Sequence, residues 1–205
     1  MRYPTPALAP DELHVHTLEI EKSRFITWIG QVATPQAFEQ LLTRARGHYP
    51  DASHHCSAFI AGAPGEQVAI GFSDDGEPGG TAGRPMFQAL DGSGIGRIGV
   101  VVTRYFGGTK LGTGGLVRAY TQAVVQALDT LPLATHTERR ECRIRVGFGQ
   151  EAETRHWLAE REIPVDGVSY SSDGVLLSLG WPDDDSVSME ALEQRLRGEL
   201  TRLDA

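Results

Sequence analysis

The chain has 205 residues, of which 40% are hydrophobic and 22% charged, and a formal net charge of −8. That length and apolar content permit a buried core in one large domain or two small ones. The negative charge excludes a protein that coats nucleic acid by bulk electrostatics. The acidity is uneven, with 10 Lys and Arg against 11 Asp and Glu up to Leu128 and 9 against 16 from Asp129 onward. Any basic surface must therefore be local to the first part.

Residues 1–10 hold no apolar segment of signal-peptide length, and no later run is long enough to cross a bilayer. The expected compartment is the cytoplasm, with no membrane among the partners. Two alternating segments, Leu13 to Ile20 and Ser23 to Val32, flank the polar pair Glu21-Lys22 and predict an antiparallel hairpin. Thr34-Pro35 supplies an N-cap and a proline at the first helical position, and Phe38, Leu41, Leu42 and Ala45 form one apolar face up to about His48. Strands follow at His54 to Ala61 and Gln67 to Ser73. The loop Asp74 to Gly80 then leads to a helix over Thr81 to Leu90 and an interior strand over Arg97 to Phe106.

Arg104 to Gly115 (RYFGGTKLGTGG) carries that strand through five glycines into the next helix, for which Thr113 is the expected N-cap and Leu128 the end. Glycine lets backbone approach a ligand closely, and the first amides of a helix point outward with a partial positive charge. No Asp or Glu lies between Arg97 and Leu128. The run is not a P-loop, because Lys110 sits inside the glycine cluster rather than at its end, and it does not match G-x-G-x-x-G. On spacing alone it is either an anion cradle or a tight strand-to-helix turn that needs positive φ.

Leu131-Pro132-Leu133 breaks the helix and opens a linker, giving domains at 1–133 and 134–205. The second domain reads as a strand around Cys142 to Phe148, a helix around Glu151 to Arg161, a hairpin of Ile163 to Ser171 with Val175 to Trp181, and a helix over Ser186 to Leu203. The order β-α-β-β-α is that of a ferredoxin-like domain lacking its last strand.

Asp74, Asp75 and Glu77 suit either a hard metal ion or a helix cap, and the missing calcium-loop spacing favours the cap. Arg104 ends a strand and Arg118 lies inside a helix, so either can instead pair with one of these carboxylates. His54 and His55 are neighbours on a strand, point to opposite faces and cannot chelate one ion together. Cys56 and Cys142 read as buried free thiols. No nucleophile with an activating partner is present, so no catalytic residue, metal or cofactor is assigned.

The runs Gly71 to Met86 (GFSDDGEPGGTAGRPM) and Val101 to Tyr120, together with His54-His55-Cys56 and Lys22 to Ile26, resemble the IMPACT/YigZ family. The resemblance implies an α+β fold of two domains. The N-terminal one is like domain IV of elongation factor G and the second domain of a small-subunit ribosomal protein, and the C-terminal one is ferredoxin-like, similar to domain V of that factor. Eukaryotic relatives are linked to translational control through the general amino-acid control pathway. The expected function is thus a non-enzymatic RNA- or ribosome-associated protein that regulates translation. Arg104, Lys110 and Arg118 would neutralise phosphates, the amides of Gly112, Thr113, Gly114 and Gly115 would donate to them, and Tyr105 would stack on a base. Two alternatives stay open: a small-molecule enzyme or sensor that holds a nucleotide or phosphorylated metabolite at Gly107 to Gly115, and a ligand-free protein-interaction module.

Overall fold

The computed structural model describes residues 1–203, in two compact units. The larger, Tyr3–His136, contains nearly all of the first ten elements. In chain order these are β1 (Arg2–Pro6), β2 (His14–Ile20), β3 (Ser23–Gln31), α1 (Pro35–His48), β4 (His54–Ile60), β5 (Ile70–Ser73), α2 (Gly83–Ser93), β6 (Ile98–Tyr105), α3 (Gly112–Asp129) and β7 (Leu133–Thr137). A five-stranded antiparallel sheet runs β2-β3-β6-β4-β5, and β1 pairs with β7 in a separate ribbon.

Strand β6 is central, and its apolar run is buried on both faces, as an unbroken Val/Ile segment requires. On one face Phe38, Leu41, Leu42 and Ala45 of α1 pack against Ile26, Trp28 and Val101. On the other, Met86 and Leu90 of α2 and Leu116, Tyr120, Ala123 and Val124 of α3 cover Phe25, Ile29, Val100 and Val102. The alternation along β3 and β6 thus assigns each residue to one helix layer. Thr34 caps α1 by accepting from the Ala37 amide, with Pro35 at its first position.

The second unit comprises Met1–Arg2 with residues from Thr137 onward. It holds β8 (Arg139–Val146), α4 (Glu151–Ala159), β9 (Val165–Ser171), β10 (Gly174–Pro182), α5 (Met189–Arg195) and β11 (Leu200–Arg202). The antiparallel sheet order is β11-β8-β10-β9, the arrangement of a complete β-α-β-β-α-β unit. The expected helix to Leu203 is corrected: α5 stops at Arg195, Gly198 takes a left-handed φ of 81°, and the last strand forms beyond it. Leu192 and Leu196 point into the core with Cys142, Ile144, Leu177 and Leu179, while Leu200 packs at its margin from the strand. A three-to-four-residue apolar spacing carried across a left-handed glycine therefore imitates one longer helix. The linker read at Leu131-Pro132-Leu133 is also corrected at its last residue, since Leu133 opens β7.

Candidate nucleic-acid interface

The elements of the larger unit bring several loops to one end of the sheet. The first is the turn between β2 and β3. Ile20 pairs directly with Ser23, so Glu21 and Lys22 make a two-residue turn, with φ values of 48° and 64°. Such turns favour Asn-Gly because both central residues need positive φ.

The second is the acidic loop Asp74 to Gly80, whose carboxylates go to three different sets of partners. Asp74 accepts from the amides of Gly80 (2.8 Å), Ala82 (3.0 Å) and Gly83 (2.8 Å), and so caps α2 from outside the helix. Burial opposes its ionisation, but the three amides outweigh that and hold its carboxyl below the usual value. Thr81, expected to open this helix, stays outside it; the helix begins at Gly83, whose α-carbon lies so close to the Ser73 backbone that a side chain has no room. Asp75 pairs with Arg46 at 2.8 Å and accepts the His55 amide at 2.6 Å.

Glu77 is buried. Its Oε1 accepts from Arg104 at 2.7 Å and from the Tyr120 hydroxyl at 2.8 Å, and its Oε2 lies 3.8 Å from Nε2 of His54. The carboxylate thereby ties the acidic loop to β6 and α3 at once. The Cys56 thiol donates to the Asp74 carbonyl at 3.0 Å and lies 3.2 Å from the Tyr120 oxygen. Burial, above all, pushes the Cys56 thiol and the Tyr120 hydroxyl far up, so neither ionises near neutral pH.

The third is the glycine loop between β6 and α3. Arg104, expected on the phosphate surface, is instead buried against Glu77, with a second guanidinium nitrogen donating to Ser23 Oγ at 3.3 Å. Its alternating neighbour Tyr105 falls on the opposite sheet face, in the α1 layer, where its hydroxyl donates to Asp51 at 2.8 Å and Arg24 covers its ring. That hydrogen bond raises its pKa. The strand period separates the two residues: one points to each face. Phe106 is half exposed at the head of the loop, with the Arg104 guanidinium 5.7 Å from its ring centre. Sequence reasoning missed it, although an aromatic residue just before two glycines was the available signal.

Lys110, Gly112, Thr113, Gly114 and Arg118 are exposed, and Gly115 is partly so. The predicted N-cap at Thr113 is corrected. Gly112, at a φ of 71°, turns the chain into α3, the N-cap position falls on Leu111, and no side chain caps the helix. Thr113 lies inside the first turn. The open amino end of α3 therefore presents unpaired backbone donors. Beside it Thr109, Lys110, Gly115, Arg118, Gln122 and Glu21 border a depression of about 530 Å3. No described carboxylate pairs with Lys110 or Arg118.

A family model, the Impact N-terminal domain, matches residues 21–128, which span all three loops. The chain belongs to the IMPACT family. It is 48% identical over 132 residues to IMPACT family member YigZ of Escherichia coli, a match covering 64% of this chain and 65% of that relative, or slightly under two thirds of its length. An IMPACT family member of Haemophilus influenzae is 45% identical over 143 residues, 70% of this chain and 69% of the relative. A solved structure described as that of a hypothetical protein superposes with a TM-score of 0.71 at 38% identity, covering 100% of this chain and 97% of that one. In this IMPACT family chain, no helix of the described residues is long and apolar enough to cross a membrane.

His55, beside the acidic loop, gives the fold a pH dependence. His55 is held below its ordinary value of 6.5 chiefly by burial, opposed by the Asp75 carboxylate and the Tyr49 carbonyl, with Arg46 and His54 adding to the depression. The unfolded chain consequently binds more protons just below pH 6.5, and the stability present above that value is lost as pH falls toward the lowered native one. Urea midpoints measured between pH 7.5 and 5 should fall with pH, and His55→Gln should flatten the upper part of that fall. An unchanged slope in the variant would remove His55 as the cause.

Proposed function

We propose that this IMPACT family protein associates with RNA or the ribosome in the cytoplasm and regulates translation, without catalysing a reaction. The observation that carries the reading is the uncapped amino end of α3, with Lys110 and Arg118 beside it and no described carboxylate paired to either. Backbone amides and unpaired cations of this kind hold phosphate irrespective of base sequence. Gly112, Thr113 and Gly114 donate to phosphate oxygens, and Lys110 and Arg118 supply charge; the Gly115 amide, four residues after the N-cap Leu111, is already engaged within the helix. Phe106, exposed on the glycine loop, takes the stacking role expected of Tyr105, and Arg104 acts from beneath by holding the loop.

In this reading the domains correspond to the two compact units, which part at 136/137, three residues beyond the boundary expected at 133/134. The first is the counterpart of domain IV of elongation factor G and of the second domain of a small-subunit ribosomal protein, and the second of elongation factor domain V. What supports the correspondence is the order of elements: a helix-covered antiparallel sheet followed by a β-α-β-β-α-β unit.

Filter binding to ribosomal RNA and to intact ribosomes at two salt concentrations tests the proposal. Binding should weaken steeply with salt, and Lys110→Ala should lower affinity across RNA sequences while making the slope of log K against log salt about one unit shallower. Absence of binding to either probe at low salt would overturn it. A second reading, a nucleotide or phosphorylated metabolite in the same depression, predicts thermal stabilisation by ATP, GTP or a sugar phosphate with no affinity for RNA.

A further inference from the structure

Lysine occurs only twice in the 205 residues, at Lys22 and Lys110; every other cationic side chain is arginine. The two lie 88 positions apart, on loops that the fold presses together. The Gly107 α-carbon packs on the Lys22 carbonyl and the Ser23 amide so closely that a β-carbon would overlap them. The Gly107 amide also donates to Ser23 Oγ at 3.2 Å, and Ile20 and Glu21, just before Lys22, border the same depression as Lys110 and Arg118.

Two arginines at this end of the sheet are committed to fixed partners, Arg46 to Asp75 and Arg104 to Glu77, while Arg118 has no described carboxylate partner. Lys22 is exposed and has no paired carboxylate among the described residues. It also occupies a left-handed position where glycine would fit without strain. A compact ammonium on a flexible stem suits a phosphate whose position varies along a strand, whereas a guanidinium fork favours one fixed geometry.

We propose that Lys22 is a second phosphate-binding lysine of this interface, so that the β2–β3 turn and the glycine loop present one lysine each to neighbouring phosphates of a bound RNA strand. The inference rests on the RNA reading above. Glu21, the single carboxylate bordering the depression among the described residues, sets a limit to the bound strand on the turn side.

Because there are only two lysines, acylation of the whole protein with an amine-reactive acetyl ester, read by mass spectrometry, reports on each alone, with the Met1 amine as internal reference. Adding ribosomal RNA should reduce labelling of Lys22 and Lys110 together, each by several-fold. Protection of Lys110 with Lys22 labelled as in the free protein would overturn the Lys22 assignment and leave the RNA reading standing. Lack of any RNA affinity would overturn both. Lys22→Gly separates binding from folding, since it relieves the left-handed strain: its thermal midpoint should equal or exceed that of the parent chain, while RNA affinity falls and the salt slope becomes about one unit shallower. A variant that binds RNA with the parent's affinity and slope would refute the assignment.

Discussion

Glu77→Ala should destabilise the fold by about 3–5 kcal/mol, the usual consequence of removing one partner from a buried ion pair. Glu77 and Arg104 have side chains only 3% and 6% exposed, so water cannot replace the lost carboxylate. The Arg104 Nε already has no hydrogen-bond partner, and after the change only Ser23 would remain to the guanidinium. The Tyr120 hydroxyl would lose its acceptor at the same time. Urea denaturation at pH 7 measures the change. The double variant Glu77→Ala/Arg104→Met should be more stable than Glu77→Ala alone, because the stranded charge is removed with its partner. A single variant within 1 kcal/mol of the parent, or a double variant whose losses simply add, would mean that the pair is solvated and does not bind the acidic loop to β6 and α3.

Gly107→Ala should have the second large effect, and its cause is steric rather than electrostatic. The added carbon would overlap the Lys22 carbonyl and the Ser23 amide, both backbone, so no side-chain rotation can make room. The loop must lift off the β2–β3 turn, breaking the Gly107 to Ser23 hydrogen bond. Overpacking of this kind costs about 1–3 kcal/mol, and more where neither segment can yield. Hydrogen exchange of the amides from Gly108 to Gly115 should accelerate, and RNA affinity should fall although no phosphate-contacting group has been altered. Gly108→Ala is the control: that position has open space around it, although its φ of 88° adds backbone strain. Equal exchange rates in Gly107→Ala and the parent would show that the turn does not shape the glycine loop.

Much of the fold could be read from short-range pattern. Thr34-Pro35 and the spacing of Phe38, Leu41, Leu42 and Ala45 sufficed for α1, and the Val/Ile run of β6 identified an interior strand, because caps and periodicity act over a few residues. The same local rules failed where a partner came from far away. The cap of α2 is a carboxylate eight residues upstream of Ala82, and α5 was overextended because Leu200 continues its apolar spacing from a strand. The ribbon of β1 with β7 joins segments more than 120 residues apart and left no periodic signal.

For the interface, the sequence by itself determined the chemistry available: a glycine loop free of acidic residues, two lysines in the whole chain, and family membership carried by two motifs. Only the tertiary structure decided which of those groups face outward. The two-residue period of β6 sends Arg104 into the core beside Glu77 and Tyr105 to the α1 layer, while the close approach of Gly107 to Lys22 brings the two lysine-bearing loops together. Sequence fixes which residues can carry charge, but whether a charge is spent on an internal partner or left for a ligand depends on contacts between segments distant in the chain, and those exist only once the sheet has formed.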